Sequence, residues 1–423
     1  MANRKKMQEL YSKVCVAGSI KFVVSEEREE EERDLEVDER FSCNLATILA
    51  RDHEVVAVRL KLFSDKCVVY ISKNERWEKE DTEYIKKIKE YLKSISGNAP
   101  IPLDTAFKRN DVKVLFKTVK RYCLAKFETR LEKLKKDIVG ESQNQHILFF
   151  KEFANINDVI EVRGYKISGI CSRYYKTVKD KPEIPKKFLR HLKKVGSYYS
   201  ALVDITACAC NVKYKNQFSN MDVVTLKPVS INRQPIFSWA NIIQKFVHVT
   251  KEYEKFKKRC LDDDDTLKKL KEVYKTDTNG NPQLDSEKIE QRLCLHAEMN
   301  ILTNIIDSKD KKPTLIAVSK YCCYLCELYI KFANTKGYNI FTSGAHNKLY
   351  HKWVLPDTKD VTLKNDALKY MIADLDRIIR KELREKHIDI RARSDSEGES
   401  ADSDNAKHID HSEVDDLMED SDN

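Results

Sequence analysis

The strongest periodicity of hydrophobic residues lies in the last third of the chain. Apolar side chains between Ala297 and Ile306 recur at the spacing of an amphipathic helix. Residues 314–318 are apolar enough for a short buried strand, and a second helix is predicted from Cys323 to Lys336, where Gly337 ends it. Residues 338–342 predict another strand. The order of these elements is therefore helix, strand, helix, strand.

A second region with a clear pattern lies near the N-terminus. Residues 54–62 and 67–72 are rich in β-branched residues, and the polar turn Ser64-Asp65-Lys66 separates them. This combination predicts a β-hairpin. A short helix is predicted just before it, at residues 42–51.

The central part of the chain has mostly helical patterns. A long amphipathic helix is predicted at residues 108–138, and a buried helix at 198–212. The prolines at 228 and 235 bracket a predicted loop, and residues 236–292 predict helices and loops almost throughout. We therefore expect no strand just before the C-terminal elements.

Charge is distributed unevenly along the 423 residues. The chain has 77 Lys and Arg against 68 Asp and Glu, a net charge of +9, with 41% hydrophobic and 34% charged residues. Residues 394–423 hold twelve acidic residues and one lysine, a net of −11, so the remainder carries about +20. A second acidic block covers residues 26–40. The tail from Ser394 has too few apolar residues to order itself, and we expect it to be disordered.

Cysteine usage and the absence of long apolar runs indicate the cellular compartment. Twelve cysteines occur without a secretory signal, which favours reduced thiols and metal binding over a disulfide framework. No run approaches the roughly 20 apolar residues of a membrane span. We therefore expect a protein of the cytoplasm or nucleus that does not bind membranes.

Two basic stretches favour a polyanionic partner. Residues 108–136 contain eleven Lys or Arg against three acidic residues, and residues 173–194 contain nine against two. In the second stretch Tyr174, Tyr175 and Phe188 are interleaved with the cations. Cations that neutralise phosphates, beside rings on which bases stack, are typical of surfaces that bind single-stranded nucleic acid. The alternative is that these lysines form only the solvated faces of amphipathic helices.

Three potential metal ligands lie at the starts of the two C-terminal helices. His296 lies just before the first helix. Cys323 lies 27 positions after His296, and Cys326 is one helical turn further on. One imidazole and two thiolates can hold a zinc ion and leave its fourth position open for water, as in catalytic sites. Glu298 lies two residues after the histidine, where its carboxylate can reach that water and act as general acid and base.

The motifs His296-Ala297-Glu298 and Cys323-Tyr324-Leu325-Cys326 resemble the signature of the cytidine deaminase-like superfamily, H-x-E followed by P-C-x-x-C. Where that signature has proline, this chain has Cys322. The C-x-x-C spacing therefore indicates Cys323 and Cys326 as the two cysteine ligands. The resemblance covers roughly residues 285–360. The flanking segments resemble the divergent fungal branch of nucleic-acid deaminases thought to derive from bacterial toxins: residues 319–323, Ser343-Gly344-Ala345-His346, Trp353 and Pro356.

The resemblance implies a three-layer α/β/α sandwich, which needs a helix and two antiparallel strands ahead of the helix that begins at His296. Residues 41–74 can supply them, so we expect a catalytic core that is split by a helical, basic insertion. The alternative is that residues 41–74 form a separate N-terminal domain. The predicted parts are an N-terminal segment with an acidic linker (1–40), the first part of the core (41–74), the insertion (75–284), the zinc-binding part of the core (285–388) and the acidic tail (394–423).

The resemblance also implies contacts with a substrate. In the superfamily an asparagine after the second strand often contacts the substrate, which indicates Asn74 here. The loop after the last strand borders the substrate pocket in the superfamily, and in this chain it contains four candidates: Ser343, His346, Tyr350 and Trp353. The alternative for Trp353 is a packing role.

These features together predict a zinc-dependent hydrolytic deaminase that removes the exocyclic amine of a nucleobase, cytosine in preference to adenine, in single-stranded DNA or RNA. Three alternatives stay open: a closed structural zinc site in which Cys294 is the fourth ligand, an inactive descendant that keeps the metal, and a coincidental set of cysteines. The competing class of protein is a non-catalytic, zinc-stabilised protein that binds nucleic acid or another partner. The patterns leave the oligomeric state unknown.

Overall fold

The computed structural model describes residues 2–20, 35–155, 166–286, 289–346 and 348–385. The predicted acidic tail and most of the acidic block lie outside these residues. The α-helices are α1 (Ala2–Ser19), α2 (Val37–Leu49), α3 (Lys79–Gly97), α4 (Leu103–Ala106), α5 (Asn110–Tyr122), α6 (Leu124–Gly140), α7 (Gln145–Ala154), α8 (Lys166–Val178), α9 (Lys186–Cys210), α10 (Lys215–Ser219), α11 (Trp239–Ile243), α12 (Thr250–Asp262), α13 (Asp264–Val273), α14 (Ala297–Asp307), α15 (Tyr324–Thr335) and α16 (Val361–Glu385).

The strands are β1 (Val56–Leu62), β2 (Cys67–Lys73), β3 (Met221–Thr225), β4 (Ser230–Ile236), β5 (Ile289–Cys294), β6 (Thr314–Val318) and β7 (Ile340–Thr342), and a short 3-10 helix covers Val212–Tyr214. The mixed α/β class predicted from the sequence is therefore confirmed. Across the described ranges, no helix is both long enough and apolar enough to span a lipid bilayer. The chain divides into two compact units, one within residues 1–33, 229–314 and 321–422, the other within residues 34–228 and 315–320.

The unit that contains residues 34–228 and 315–320 is built around four strands in the order β3, β2, β1, β6. β1 and β2 form the predicted antiparallel hairpin. β6 pairs antiparallel with β1 through Ala57 opposite Val318 and Val58 opposite Ala317, and β3 pairs parallel with β2. The hairpin thus pairs with the strand that follows the His296 helix, which a split catalytic core requires. The domain boundaries themselves stay predictions.

Helices of the same unit cover this sheet. α2 packs on both β1 and α9. It begins at Val37, before the predicted start at residue 42, because Glu36 and Glu39 form a reciprocal capping box. The helix predicted at 108–138 is in fact two helices, α5 and α6, which are separated at Cys123. Since the apolar spacing continues through the break, periodicity alone could not reveal it.

The basic stretch at residues 173–194 lies in α8, the following loop and α9. Tyr174 and Phe188 are only 4% and 2% exposed, and both rings pack against Phe150. The prediction that these two rings offer stacking surfaces to bases is therefore wrong, because they fill the interior of the helical unit. The cations around them, such as Arg173 and Lys176, are exposed.

The other unit contains an antiparallel pair of strands, β4 and β5, where the sequence predicted loops and helices. That prediction is wrong for two local reasons. In β5 the inward positions include a polar residue, Gln291, which hides the alternation of buried and exposed residues. In β4, Pro235 lies opposite Glu290. A pair of strands has only edge strands, where a missing backbone N–H is tolerated.

Helix α1 belongs to the core of this second unit. It packs against α16, α11, α13 and β4, and Leu10, Tyr11 and Val14 are at most 1% exposed. The nearly buried Lys13 pairs with Glu9 at 3.0 Å and with Asp376 at 2.5 Å. The N-terminal segment, which the sequence pattern left without a clear element, therefore anchors the long C-terminal helix.

A buried network of charges lies at the end of β2. Lys73 Nζ lies 2.8 Å from Glu54 Oε1 and 2.6 Å from Asp81 Oδ2, and these three side chains are at most 8% exposed. The Arg51 guanidinium also contacts both carboxylates, at 3.2 Å each. Two cations and two anions are thus held together next to Asn74.

We expect Lys73→Ala to lower the free energy of unfolding by about 3 kcal/mol, because two buried carboxylates would then share a single guanidinium. Urea denaturation followed by circular dichroism measures the change. Lys79→Ala is the matched control, since that side chain is 92% exposed and lies 3.9 Å from Glu83. We expect the control to change stability by less than about 0.5 kcal/mol. Equal losses in the two variants would contradict this role of Lys73.

Candidate metal centre

The candidate metal ligands are positioned by the N-termini of two helices. His296 is the N-cap of α14 and Cys323 is the N-cap of α15, and both have extended backbone conformations. Cys326 lies in the first turn of α15. A helix N-terminus carries a partial positive charge, which favours a thiolate over a thiol. The three residues thus lie at two helix starts, as the sequence predicted, while their role as metal ligands stays a prediction.

The three potential ligand atoms converge on one point. His296 Nδ1 lies 3.5 Å from Cys323 Sγ and 3.3 Å from Cys326 Sγ, and the two sulfurs are 3.4 Å apart. In a tetrahedral zinc site two sulfurs are about 3.8 Å apart, and a nitrogen and a sulfur about 3.5 Å. The observed triangle therefore needs only small side-chain shifts to hold one zinc ion, so the residues present fit this metal.

Electrostatics within the triangle favour a thiolate at Cys323, whereas burial and the charge of that thiolate raise the pKa of the Cys326 thiol well above its usual value. Burial opposes ionisation of Cys323, yet the contact with Cys326 and the charge of His296 hold the pKa of the Cys323 thiol well below its usual value. Although burial disfavours the imidazolium, the Cys323 thiolate raises the pKa of His296 to about 9. A thiolate and an imidazolium thus stabilise each other until a metal cation takes the place of the proton.

Two neighbouring cysteines are not part of the triangle. Among the described residues, His296, Cys323 and Cys326 form a group whose ligand atoms all lie within 4.8 Å of one another, and neither Cys294 nor Cys322 belongs to it. Cys322 is fully buried, and its backbone N–H donates to Gly344 O at 3.0 Å. The geometry therefore does not support the closed four-ligand site that Cys294 would complete.

Glu298 lies beside the triangle without belonging to it. Its side chain is almost fully buried, and Oε1 is 3.8 Å from His296 Nδ1. Oε2 has no hydrogen-bond partner among the described residues. Burial raises the pKa of the Glu298 carboxyl above its usual value. A buried carboxyl oxygen without a partner is costly, which indicates a group that awaits a ligand such as water or substrate.

The loop after β7 contributes the next layer of contacts. The Trp353 indole N–H donates to Cys326 Sγ at 3.3 Å, and its side chain is fully buried. The Tyr350 and His296 rings are in edge-to-face contact, with 5.9 Å between their centroids. The centroid of the His346 ring lies 5.7 Å from that of the Tyr350 ring. Burial raises the pKa of Tyr350 to about 12, so its hydroxyl is a neutral donor at physiological pH.

The predicted substrate residues thus have different surroundings. Tyr350 and His346 lie near the ligand triangle, and Ser343 is half-buried just after β7. Trp353 packs in the interior, and its contact with a ligand sulfur had no signal in the sequence. Asn74 directly follows β2, where its Oδ1 accepts a hydrogen bond from the Val55 N–H at 2.8 Å. A contact of any of these residues with a substrate stays a prediction.

Comparison with known families finds one match in this region. A family model described as "OTT_1508_deam:-like deaminase" matches residues 295–357. This segment is about a seventh of the chain, and it contains all three candidate ligands and Glu298. Neither the curated proteins nor the solved structures give a match. The family match and the ligand triangle together support a deaminase, whereas a fungal or toxin-derived branch stays a prediction.

We expect the purified protein to contain about one zinc ion per chain, held by one imidazole and two thiolates. Cys323→Ser and Cys326→Ser should each lose most of the metal after dialysis, which inductively coupled plasma mass spectrometry measures. Cys294→Ser is the control and should keep it, because Cys294 is not part of the ligand triangle. An equal loss in Cys294→Ser would restore the closed four-ligand site.

We expect Trp353→Phe to weaken zinc binding by about 10- to 100-fold, because it removes the indole N–H that donates to the Cys326 sulfur. Competition with a chromogenic chelator measures the affinity. Tyr350→Phe is the matched control, since the ring stays and only the hydroxyl is lost. If both variants bind zinc like the unmodified chain, the indole contributes packing alone.

Proposed function

We propose that this protein is a zinc-dependent hydrolytic deaminase that acts on a nucleobase, cytosine in preference to adenine, in single-stranded DNA or RNA. The observation that carries the proposal is the position of Glu298. Its buried carboxyl group lies 3.8 Å from the imidazole of the ligand triangle and keeps one oxygen without a hydrogen-bond partner. A structural zinc site does not need such a carboxylate, whereas a hydrolytic site does.

The residues divide the chemistry between them. His296, Cys323 and Cys326 would hold the metal, and zinc in such a site lowers the pKa of a bound water towards about 7, which supplies the nucleophile. Glu298 would take up the proton of that water, deliver it to the ring nitrogen of the base, and then transfer a proton to the departing ammonia. One water is consumed, and the amino base becomes the corresponding oxo base.

The loop after β7 suits a role in holding the base. Tyr350 and His346 are half-buried, and their rings continue outward from His296 through edge-to-face contacts. Burial lowers the pKa of His346, so a neutral imidazole is favoured there. We propose that the rings of His346 and Tyr350 flank the target base. Ser343 and Asn74 are proposed as further contacts, because the corresponding positions of the resembled superfamily contact the substrate.

A polymer is favoured over a free nucleoside by the charge of the insertion. Residues 75–284 contain the two basic stretches, and the exposed cations there can neutralise a phosphate backbone. Because the reacting carbon of a base is inaccessible inside a duplex, the target base would have to be unpaired or flipped out of the stack.

The competing function is a non-catalytic, zinc-stabilised protein that binds nucleic acid or another partner. Such a protein would need the ligand triangle for folding but would not need Glu298. The carboxylate therefore separates the two classes of protein.

We expect Glu298→Gln to reduce deamination by at least about 100-fold, because an amide of the same shape cannot carry a proton between water and base. Zinc-loaded protein is incubated with single-stranded DNA and RNA oligonucleotides that contain cytosine or adenine, and mass spectrometry measures the conversion. Zinc content should not change.

Asp307→Asn, at the opposite end of the same helix, is the matched control and should keep full activity. If the unmodified chain and Glu298→Gln are equally inactive on every substrate while both hold zinc, the non-catalytic function is favoured instead.

A further inference from the structure

Three basic side chains cluster within the unit that contains residues 34–228 and 315–320. Lys126 and Arg130 lie four residues apart on α6 and therefore share one face of that helix. Lys320 follows the end of β6. Burial, and then the charges of Arg130 and Lys320, lower the pKa of Lys126 to about 7. The backbone places Lys320 near the same point: the Ser319 N–H donates to Val56 O at 2.9 Å, and Lys126 Nζ donates to the carbonyl of Glu54, two residues before Val56.

Lys126 is buried with almost none of its hydrogen-bonding capacity used. The residue is 5% exposed, and its Nζ donates one hydrogen bond, at 3.4 Å, to the backbone carbonyl of Glu54. An ammonium group has three donors. The Glu54 carboxylate is bound to Lys73 and Arg51 instead. In the part of the chain that the structure describes, no carboxylate lies within ion-pair distance of Lys126. The charge of Asp52 acts on it only weakly, after burial and the charges of Arg130 and Lys320. Such an arrangement is costly for a buried charge.

Arg130 completes the same face of α6. Its Nη1 donates to Lys194 O and to Ser197 Oγ, both at 3.2 Å, and its guanidinium lies 5.1 Å from the centre of the Tyr198 ring. None of these partners is negatively charged. Among the residues that the structure describes, the Nε and Nη2 donors of this half-buried side chain have no hydrogen-bond partner. They could bind an oxyanion with two parallel hydrogen bonds.

Burial and the two neighbouring cations both act against a charge on Lys126. A bound oxyanion would offset the repulsion by these cations, and it would satisfy the unused donors of Lys126 and Arg130.

We propose that Lys126, Arg130 and Lys320 form a binding site for one phosphate group, and that this group is a backbone phosphate of a single-stranded nucleic acid. The identity of the ligand rests on the proposed function, whereas the phosphate site itself rests on the cluster. Two of its three cations come from the helical insertion and the third lies three residues before Cys323 in the chain. The insertion would thus contribute directly to substrate binding.

The first experiment measures thermal unfolding of the zinc-loaded full chain with inorganic phosphate against chloride at equal ionic strength. Phosphate should raise the midpoint by about 2 °C or more, because it binds only the folded state. Lys126→Met should lose this shift, and its midpoint without phosphate should be at or above that of the unmodified chain, since a repelled buried charge has been removed. Lys136→Met, an exposed lysine of the same helix, is the matched control and should keep the shift.

The second experiment measures binding of a fluorescent single-stranded oligonucleotide by anisotropy at several salt concentrations, in zinc-loaded Glu298→Gln so that no turnover occurs. Adding Lys126→Met should weaken binding about tenfold or more, since a charge-assisted contact is lost. The slope of log affinity against log salt should fall by about one. Adding Lys136→Met should have a much smaller effect on affinity. Lys320→Gln is a second test of the cluster if Lys126→Met does not fold.

Two results would overturn the proposal. If phosphate stabilises Lys126→Met and Lys320→Gln as much as the unmodified chain, there is no phosphate site at this cluster. If the shift is lost but oligonucleotide binding is unchanged, the site takes free phosphate and its assignment to nucleic acid is wrong. Neither readout depends on deamination, so the phosphate site and the proposed activity can fail separately.

Discussion

The candidate centre depends on two helix N-termini that direct their cap residues to the same point. His296 and Cys323 are the caps of α14 and α15, and Cys326 is one turn further along the second helix. Two positive helix ends would repel a metal cation if the ligands were neutral. Two thiolates would cancel the charge of Zn²⁺, so the dipoles would meet a neutral centre and still favour the thiolate form of the two cysteines. The donor set and the helix geometry therefore require each other.

The backbone of Cys322, which stands where the signature that the sequence resembles has proline, also supports this arrangement. Its backbone N–H donates to Gly344 O, which fastens the loop after β7 to the ligand segment. Proline, the residue of the signature, has no N–H and could not make this bond. The backbone of Cys294 holds the far end of the same loop, through its bonds to Lys352 and to Val354. The loop is thus anchored on both sides of the ligands, which brings the Trp353 indole to the Cys326 sulfur.

The parts of the fold that the sequence predicted are those where one periodicity dominates over a whole element. α14, β6, α15 and the hairpin of β1 and β2 have such patterns, and the ligand spacing could be read directly. Elements that depend on distant partners were missed. β5 carries an inward Gln291 whose amide bonds to the Val273 carbonyl of another element, and α1 becomes buried only against α16. At the break between α5 and α6, the Cys123 thiol donates to the carbonyl of Ile48, a residue 75 positions earlier in the chain. Local patterns cannot encode such contacts.

The difference between local patterns and contacts with distant partners also applies to the basic residues of the predicted insertion. An exposed lysine on an amphipathic helix is explained by solvation, and most cations of α5, α8 and α9 are of this kind. That explanation fails for Lys126, because its ammonium group lies in the interior beside Arg130 and makes one weak hydrogen bond. A methionine of similar length would pack there without the electrostatic cost. A buried cation with no carboxylate within ion-pair distance is therefore better explained by a ligand than by the fold, and the proposed phosphate site would give the predicted insertion a local role that net charge alone could not give it.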